Sequence, residues 1–259
     1  MITKSMINDG AITIIIQFIS SLICILMIPL FEIKFPTDIK VYIFLFLAII
    51  FYTLNDRLGT TARSGIDVST YSILKQLSTV FIIIMGILFF KEPFILTKII
   101  GALLIIISNI IVFYKKENFK FNKYLILGIL ANISLSIALF IDVNYSKEFN
   151  LSFYVLLTFL IPLILIFIFE RIKIKDMVLE YKNSNKLILF LTGIAWTLMM
   201  ISKLKSYELG NIIVVAPLTS LTVILNIIVS YFLLKEKSNL VKKIIAAILI
   251  IIGVILIKL

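Results

Sequence analysis

LKQLSTVFIIIMGILFFKE (residues 74–92) returns later in the chain as LTSLTVILNIIVSYFLLKE (residues 218–236). Leu74, Leu77, Ile83, Ile84, Lys91 and Glu92 reappear as Leu218, Leu221, Ile227, Ile228, Lys235 and Glu236. Aliphatic matches carry little in a chain this rich in Ile and Leu; the Lys-Glu pair closing both runs carries more. The flanks agree at the same offset, with Tyr52-Thr53-Leu54 answering Trp196-Thr197-Leu198. With a changed offset, Phe31-Glu32 answers Phe169-Glu170. Each run is long enough to cross a bilayer, and each is followed by another apolar run (94–114 and 244–258). The sequence therefore reads as a duplication built of apolar helices.

Composition sets the class. The 259 residues are 61% hydrophobic and 15% charged, with a mean hydropathy of +1.16. That balance suits a polytopic membrane protein and not a soluble domain. The net charge of +11 comes mostly from basic residues between apolar runs, where anionic headgroups meet loops; nucleic acid is not an expected partner. Cys24 is the single cysteine, so no intrachain disulfide forms. The absence of histidine excludes Ser-His-Asp and HExxH chemistry. No paired carboxylates on one span and no G-x-S-x-G motif occur, so an enzyme is not expected, nor a metal site or cofactor.

Apolar runs place spans at 11–31, 41–61, 68–90, 94–114, 124–145, 151–169, 187–206, 211–234 and 241–258. The stretch 170–186, with nearly alternating charges, is expected along the membrane surface. The expected fold is an all-α polytopic membrane protein of two inverted repeats, each of about five transmembrane helices. The first repeat (1–120) has four spans here and the second (121–259) five. Aligning the two puts Met1 near Ser146, so the counterpart of span 124–145 would precede Met1. Sixteen of the 25 Lys and Arg fall on the side of the N-terminus and eight opposite, which predicts a cytoplasmic Met1.

Phe89-Phe90-Lys91-Glu92 with Gly101, Leu233-Leu234-Lys235-Glu236 with Gly253, and the spacing of the spans resemble the drug/metabolite transporter superfamily. EamA-type permeases are the nearest likeness, with nucleotide-sugar transporters as relatives. The resemblance implies a ten-helix secondary transporter of inverted repeats around a central cavity; this sequence departs from it in lacking the first helix, and with that helix missing the resemblance implies the orientation opposite to the one the loop charges predict.

Polar residues inside spans need partners or a ligand. Tyr71, Lys75, Ser78 and Thr79 share one helical face, with Lys75 about two turns inside its span. Thr219, Thr222, Asn226 and Ser230 form the matching stripe, and Thr219 holds the repeat position of Lys75. Tyr52, Asn55 and Asp56 lie on span 41–61; Thr192, Trp196, Met199 and Lys203 share a face of span 187–206. Hydroxyls and amides in such places commonly serve helix packing alone. Arg57, Arg63, Lys203 and Lys205 lie near span ends, where interfacial anchoring is the default. Pro162 and Pro217 interrupt spans, and a kink at Pro217 would suit a moving helix.

The candidate substrate-binding set is Lys75, Tyr71, Ser78, Thr79, Tyr52, Trp196, Thr219, Thr222, Asn226 and Lys203; the candidate coupling acids are Asp142 and Asp56. The expected activity is secondary transport of a small polar or anionic metabolite by alternating access. The alternatives are an exporter of neutral metabolites or amino acids, or a truncated membrane protein that transports nothing. Expected partners are the substrate, membrane lipids and a second copy in a homodimer, in the cell membrane.

Overall fold

The computed structural model describes residues 8–90, 96–113, 122–209, 222–233, 235 and 240–258. They form eleven α-helices, with short 3-10 turns after α1 and α6: α1 (Asp9–Met27), α2 (Ile39–Gly65), α3 (Val68–Leu74), α4 (Leu77–Phe90), α5 (Leu96–Phe113), α6 (Lys123–Tyr145), α7 (Leu151–Phe169), α8 (Ile174–Asn183), α9 (Lys186–Leu209), α10 (Thr222–Leu233) and α11 (Leu240–Lys258). Among the described residues, α1, α2, α6, α7, α9 and α11 are long and apolar enough to cross a membrane. The molecule is an all-α polytopic membrane protein.

Short polar side chains set where the long helices begin. Asn8 accepts from the backbone N–H groups of Gly10 and Ala11, Asp38 from Lys40, Asn122 from Tyr124 and Asn150 from Phe153. Each satisfies an amide that the first turn of a helix leaves without a partner. Inside the helices, hydroxyls turn back on carbonyls one turn earlier: Thr13 on Asp9, Ser21 on Gln17, Thr53 on Ile49 and Ser136 on Asn132. These hydroxyls are thus paired within their own helices as they pass through an apolar medium.

The two largest of four apolar clusters among the described residues form most of the core, and neither follows the sequence halves. One joins α1, α2, α6, α7 and α9 through residues such as Cys24, Leu45, Leu139, Tyr154 and Leu204, with Ile82 of α4 at its edge. The other joins α3, α4, α5, α10 and α11 through Ile73, Val80, Ile105, Ile227 and Ile250. Gly101 and Gly253 meet where α5 and α11 cross: a Cβ on Gly253 would fall 2.6 Å from the Gly101 carbonyl oxygen. On the opposite face of α11, Ile244, Ile248, Ile252 and Ile255 are exposed and form the side a bilayer covers.

Two expectations change. The third span, expected as one helix over 68–90, is broken at Lys75 and Gln76. The Gln76 amide turns to Ile73 O (3.0 Å) and that of Ser78 to Lys75 O (3.1 Å), a tighter turn than the α-helix makes. Side chains compensate, with Ser78 Oγ donating to Lys75 O (2.7 Å) and Gln76 Nε2 to Ser72 O (3.3 Å). Lys75 therefore sits at a break and not within a continuous helix; apolar periodicity is blind to such side-chain capping.

The stretch 170–186 carries helix α8, docked against the start of α1 and not merely laid on a surface. Glu180 is buried there and accepts from the Asn8 amide at 3.2 Å. Pro162 lies inside the continuous helix α7, while Pro217 falls outside the described residues.

Candidate functional site

A cavity opens between α2, α3, α6, α7 and α9. Its polar wall is Tyr52, Asn55, Asp56, Arg63, Tyr71, Lys75, Thr158 and Lys203; Leu135, Phe159, Trp196, Met199 and Met200 complete it. The volume is about 60 Å³. At ~10–15 Å³ for each water centre, it has room for roughly five water molecules.

The duplication is written into this wall. Tyr52, Asn55 and Asp56 of α2 and Trp196, Met199 and Met200 of α9 occupy corresponding repeat positions, and all six line the cavity. The chemistry has diverged on matching places. Asp56 corresponds to Met200, and Lys203 to Gly59. Gly59 leaves space there, since a Cβ would fall 2.7 Å from the Tyr71 hydroxyl.

Both acids are held by neutral donors. Asp56, 3% exposed, accepts from Gln17 Nε2 at 2.6 Å and from Asn55 Nδ2 at 3.0 Å. Asp142, fully buried on α6 behind the wall, accepts from the hydroxyls of Tyr52 and Tyr154, the latter at 2.6 Å. Among the described residues no ion pair involves Arg63, Lys75 or Lys203, whereas Arg57 pairs with both Asp9 and Glu170. Lys75 lies within electrostatic reach of Arg63, Asp56 and Lys203, and Lys203 within reach of Asp142.

Of the residues singled out from sequence, Lys75, Tyr71, Tyr52, Trp196, Lys203 and Asp56 come together in the cavity. Ser78 supports the helix break below Lys75. Asn226 stands apart, donating from Nδ2 to Ser72 Oγ at 2.8 Å and so tying α10 to α3. Thr222 is exposed at the start of α10. Thr79 lies on α4 but its side chain is outside the described residues, as is all of Thr219.

Arg63 is the correction at the site, because a position near a span end suggested an interfacial anchor. The signal was present: Tyr52, Asp56, Gly59 and Arg63 follow one another at helical spacing on α2. Tyr154 was missed altogether, for its partner Asp142 sits on another helix and no local pattern joins them.

At one end of the bundle, Arg57 Nε donates to Glu170 Oε1, Arg57 Nη1 lies 3.5 Å from Asp9 Oδ2, and Thr61 Oγ1 donates to Asp9. This network ties α1, α2 and the end of α7 together beside the cavity.

No curated protein matches the chain. The model of the EamA-like transporter family matches residues 3–114 and 122–259, two segments that between them take in every helix above. With the helical fold and the cavity residues shared between α2 and α9, that match places the chain in the EamA-like transporter family, as a membrane transporter.

Proposed function

We propose that the chain is a secondary transporter that carries a small anionic metabolite through this cavity by alternating access. The observation that carries the reading is the set of three cations, Arg63, Lys75 and Lys203, facing one cavity without an ion pair among the described residues. A cation at bilayer depth costs roughly 2.5–3.5 kcal/mol at a helix centre on insertion scales, and an anionic ligand offsets that cost. Asp56 and Asp142 offset it only partly, as two carboxylates against the three cations Arg63, Lys75 and Lys203.

The present volume is far below the ~300–1,000 Å³ of ligand pockets, so loading a metabolite requires helices to part. Repeat halves at 1–120 and 121–259 in inverted orientation would supply the rocking units. Asp142 and Asp56 are the groups through which a proton gradient would act. The cell membrane is the expected site of action.

A second reading follows from the presence of both charge signs: Asp56 with Lys75, and Asp142 with Lys203, would also suit the two ends of a zwitterion such as an amino acid. Counterflow in proteoliposomes loaded with anionic, zwitterionic and neutral metabolite pools separates the two. Exchange confined to anionic pools supports the first reading; exchange confined to amino acids replaces it with the second, and exchange of neither class refutes both.

A further inference from the structure

Arg57 and Arg63 stand on the same helix, and their surroundings differ. Arg57 is met by two carboxylates, Asp9 and Glu170. Arg63 forms no ion pair among the described residues, with Asp56 in electrostatic reach, and its hydrogen bonds go to neutral groups. Its Nε donates to Gly59 O at 3.1 Å and its Nη2 to Thr60 Oγ1 at 3.3 Å. The guanidinium carbon lies 5.4 Å from the Tyr71 ring centre and 5.8 Å from that of Trp196. Contacts of this kind fix the plane of a guanidinium without cancelling its charge. Among the described residues nothing accepts from Nη1, and Arg63 lines the cavity with Lys75 in electrostatic reach.

We infer that Arg63 is the residue that recognises the anionic head of the substrate, taking a carboxylate or phosphate on its free Nη edge while Lys75 adds charge from the helix break. This inference rests on the anion-transport reading above and names the group that orients the ligand. A guanidinium held in a fixed plane presents paired N–H donors in the geometry of two oxygens on one carbon or phosphorus. An ammonium on a flexible stem, such as Lys75 or Lys203, attracts the same anion but does not select its shape. The discrimination therefore lies with Arg63.

Trp196 makes the test direct. It is the only tryptophan in the chain and its ring faces the Arg63 guanidinium at 5.8 Å, so its emission reports on this place. Purified full-length protein in nanodiscs is titrated with benzoate, inorganic phosphate and the neutral benzamide, with uptake of the same compounds followed in proteoliposomes. The expected result is a saturable change in Trp196 emission with benzoate or phosphate and none with benzamide; which anion responds tells a carboxylate head from a phosphate head. Arg63→Lys should weaken the response about tenfold, because charge is kept but the planar fork is lost. Arg63→Gln should abolish it, and the melting temperature of each variant is read alongside.

Arg63→Lys and Arg63→Gln proteins that bind as the parent does, while Lys75→Gln does not, would overturn the assignment of Arg63 and leave anion transport standing. An equal response to benzamide would overturn an anionic head. A parent protein that neither responds to nor takes up any of the anions overturns this inference and the transport reading together. If Arg63→Gln does not fold, the Arg63→Lys titration decides alone.

Discussion

Replacing Gly101 or Gly253 with alanine tests the tightest helix crossing in the molecule. A Cβ on Gly253 would stand 2.6 Å from Gly101 O, and one on Gly101 would meet Gly253 O as well as Ile257 Cγ1, the latter at 2.6 Å. Ordinary heavy-atom contact begins near ~3.5 Å, so α5 and α11 must separate by roughly 1 Å. The obstacle is backbone on both sides, which has no rotamer to change. Side chains along the shared face, Ile105 and Ile250 among them, then lose part of their contact. Overpacking of this kind costs about 1–3 kcal/mol for each single substitution. The double variant should cost less than the sum, because the first alanine has already opened the space that the second needs. Unfolding by SDS in mixed micelles, followed by circular dichroism, gives all three values. Single variants within ~0.5 kcal/mol of the parent, or a strictly additive pair, would refute the close-crossing argument.

Three further outcomes are expected. Asn150 Nδ2 lies 3.1 Å from each of the Ile28, Phe31 and Glu32 carbonyls, and its Oδ1 caps α7; Asn150→Ala should lower stability by about 2–4 kcal/mol in the same unfolding assay, one cap and two donors at ~1 kcal/mol each. Asn150→Asp should not rescue it, since it keeps the cap but turns an oxygen toward three carbonyls. Asp142→Asn or Asp56→Asn should remove the response of transport to an imposed pH gradient, and full gradient dependence in both would dismiss these acids as coupling groups. Lys75→Gln should yield a folded protein with KM raised about tenfold, and Lys75→Arg should be tolerated only in part; unchanged kinetics in folded Lys75→Gln would count against contact with substrate.

Much of the architecture was legible because a bilayer imposes a long apolar period that composition cannot hide. The paired places Tyr52 and Trp196 could be read from the repeat alone, and they do face one cavity. The polar stripe on α10 was legible only as a pattern: Asn226 points to Ser72 and not to the cavity. A stripe says which side chains share a face and leaves open which neighbour that face meets. Asp142 could be picked out as an acid inside a span, but its two tyrosines come from α2 and α7, brought to it by packing that no local spacing encodes. The break at Lys75 escaped because Gln76 and Ser78 fold back on single carbonyls, an event of two or three atoms inside an otherwise helical stretch.

That break divides labour between two neighbours. On one side of it, Ser72 of α3 receives Asn226 of α10, and Lys243 of α11 reaches Asp67 at 3.5 Å just before α3 begins. On the other side, the Ser78 carbonyl receives Ser136 of α6. A single rod through the span would have to drag all of these partners when any one of them moved. Two short rods meeting at Lys75 and Gln76 share the apolar cluster around Ile105 but hold different polar partners, and a change of angle between them would fall at the joint.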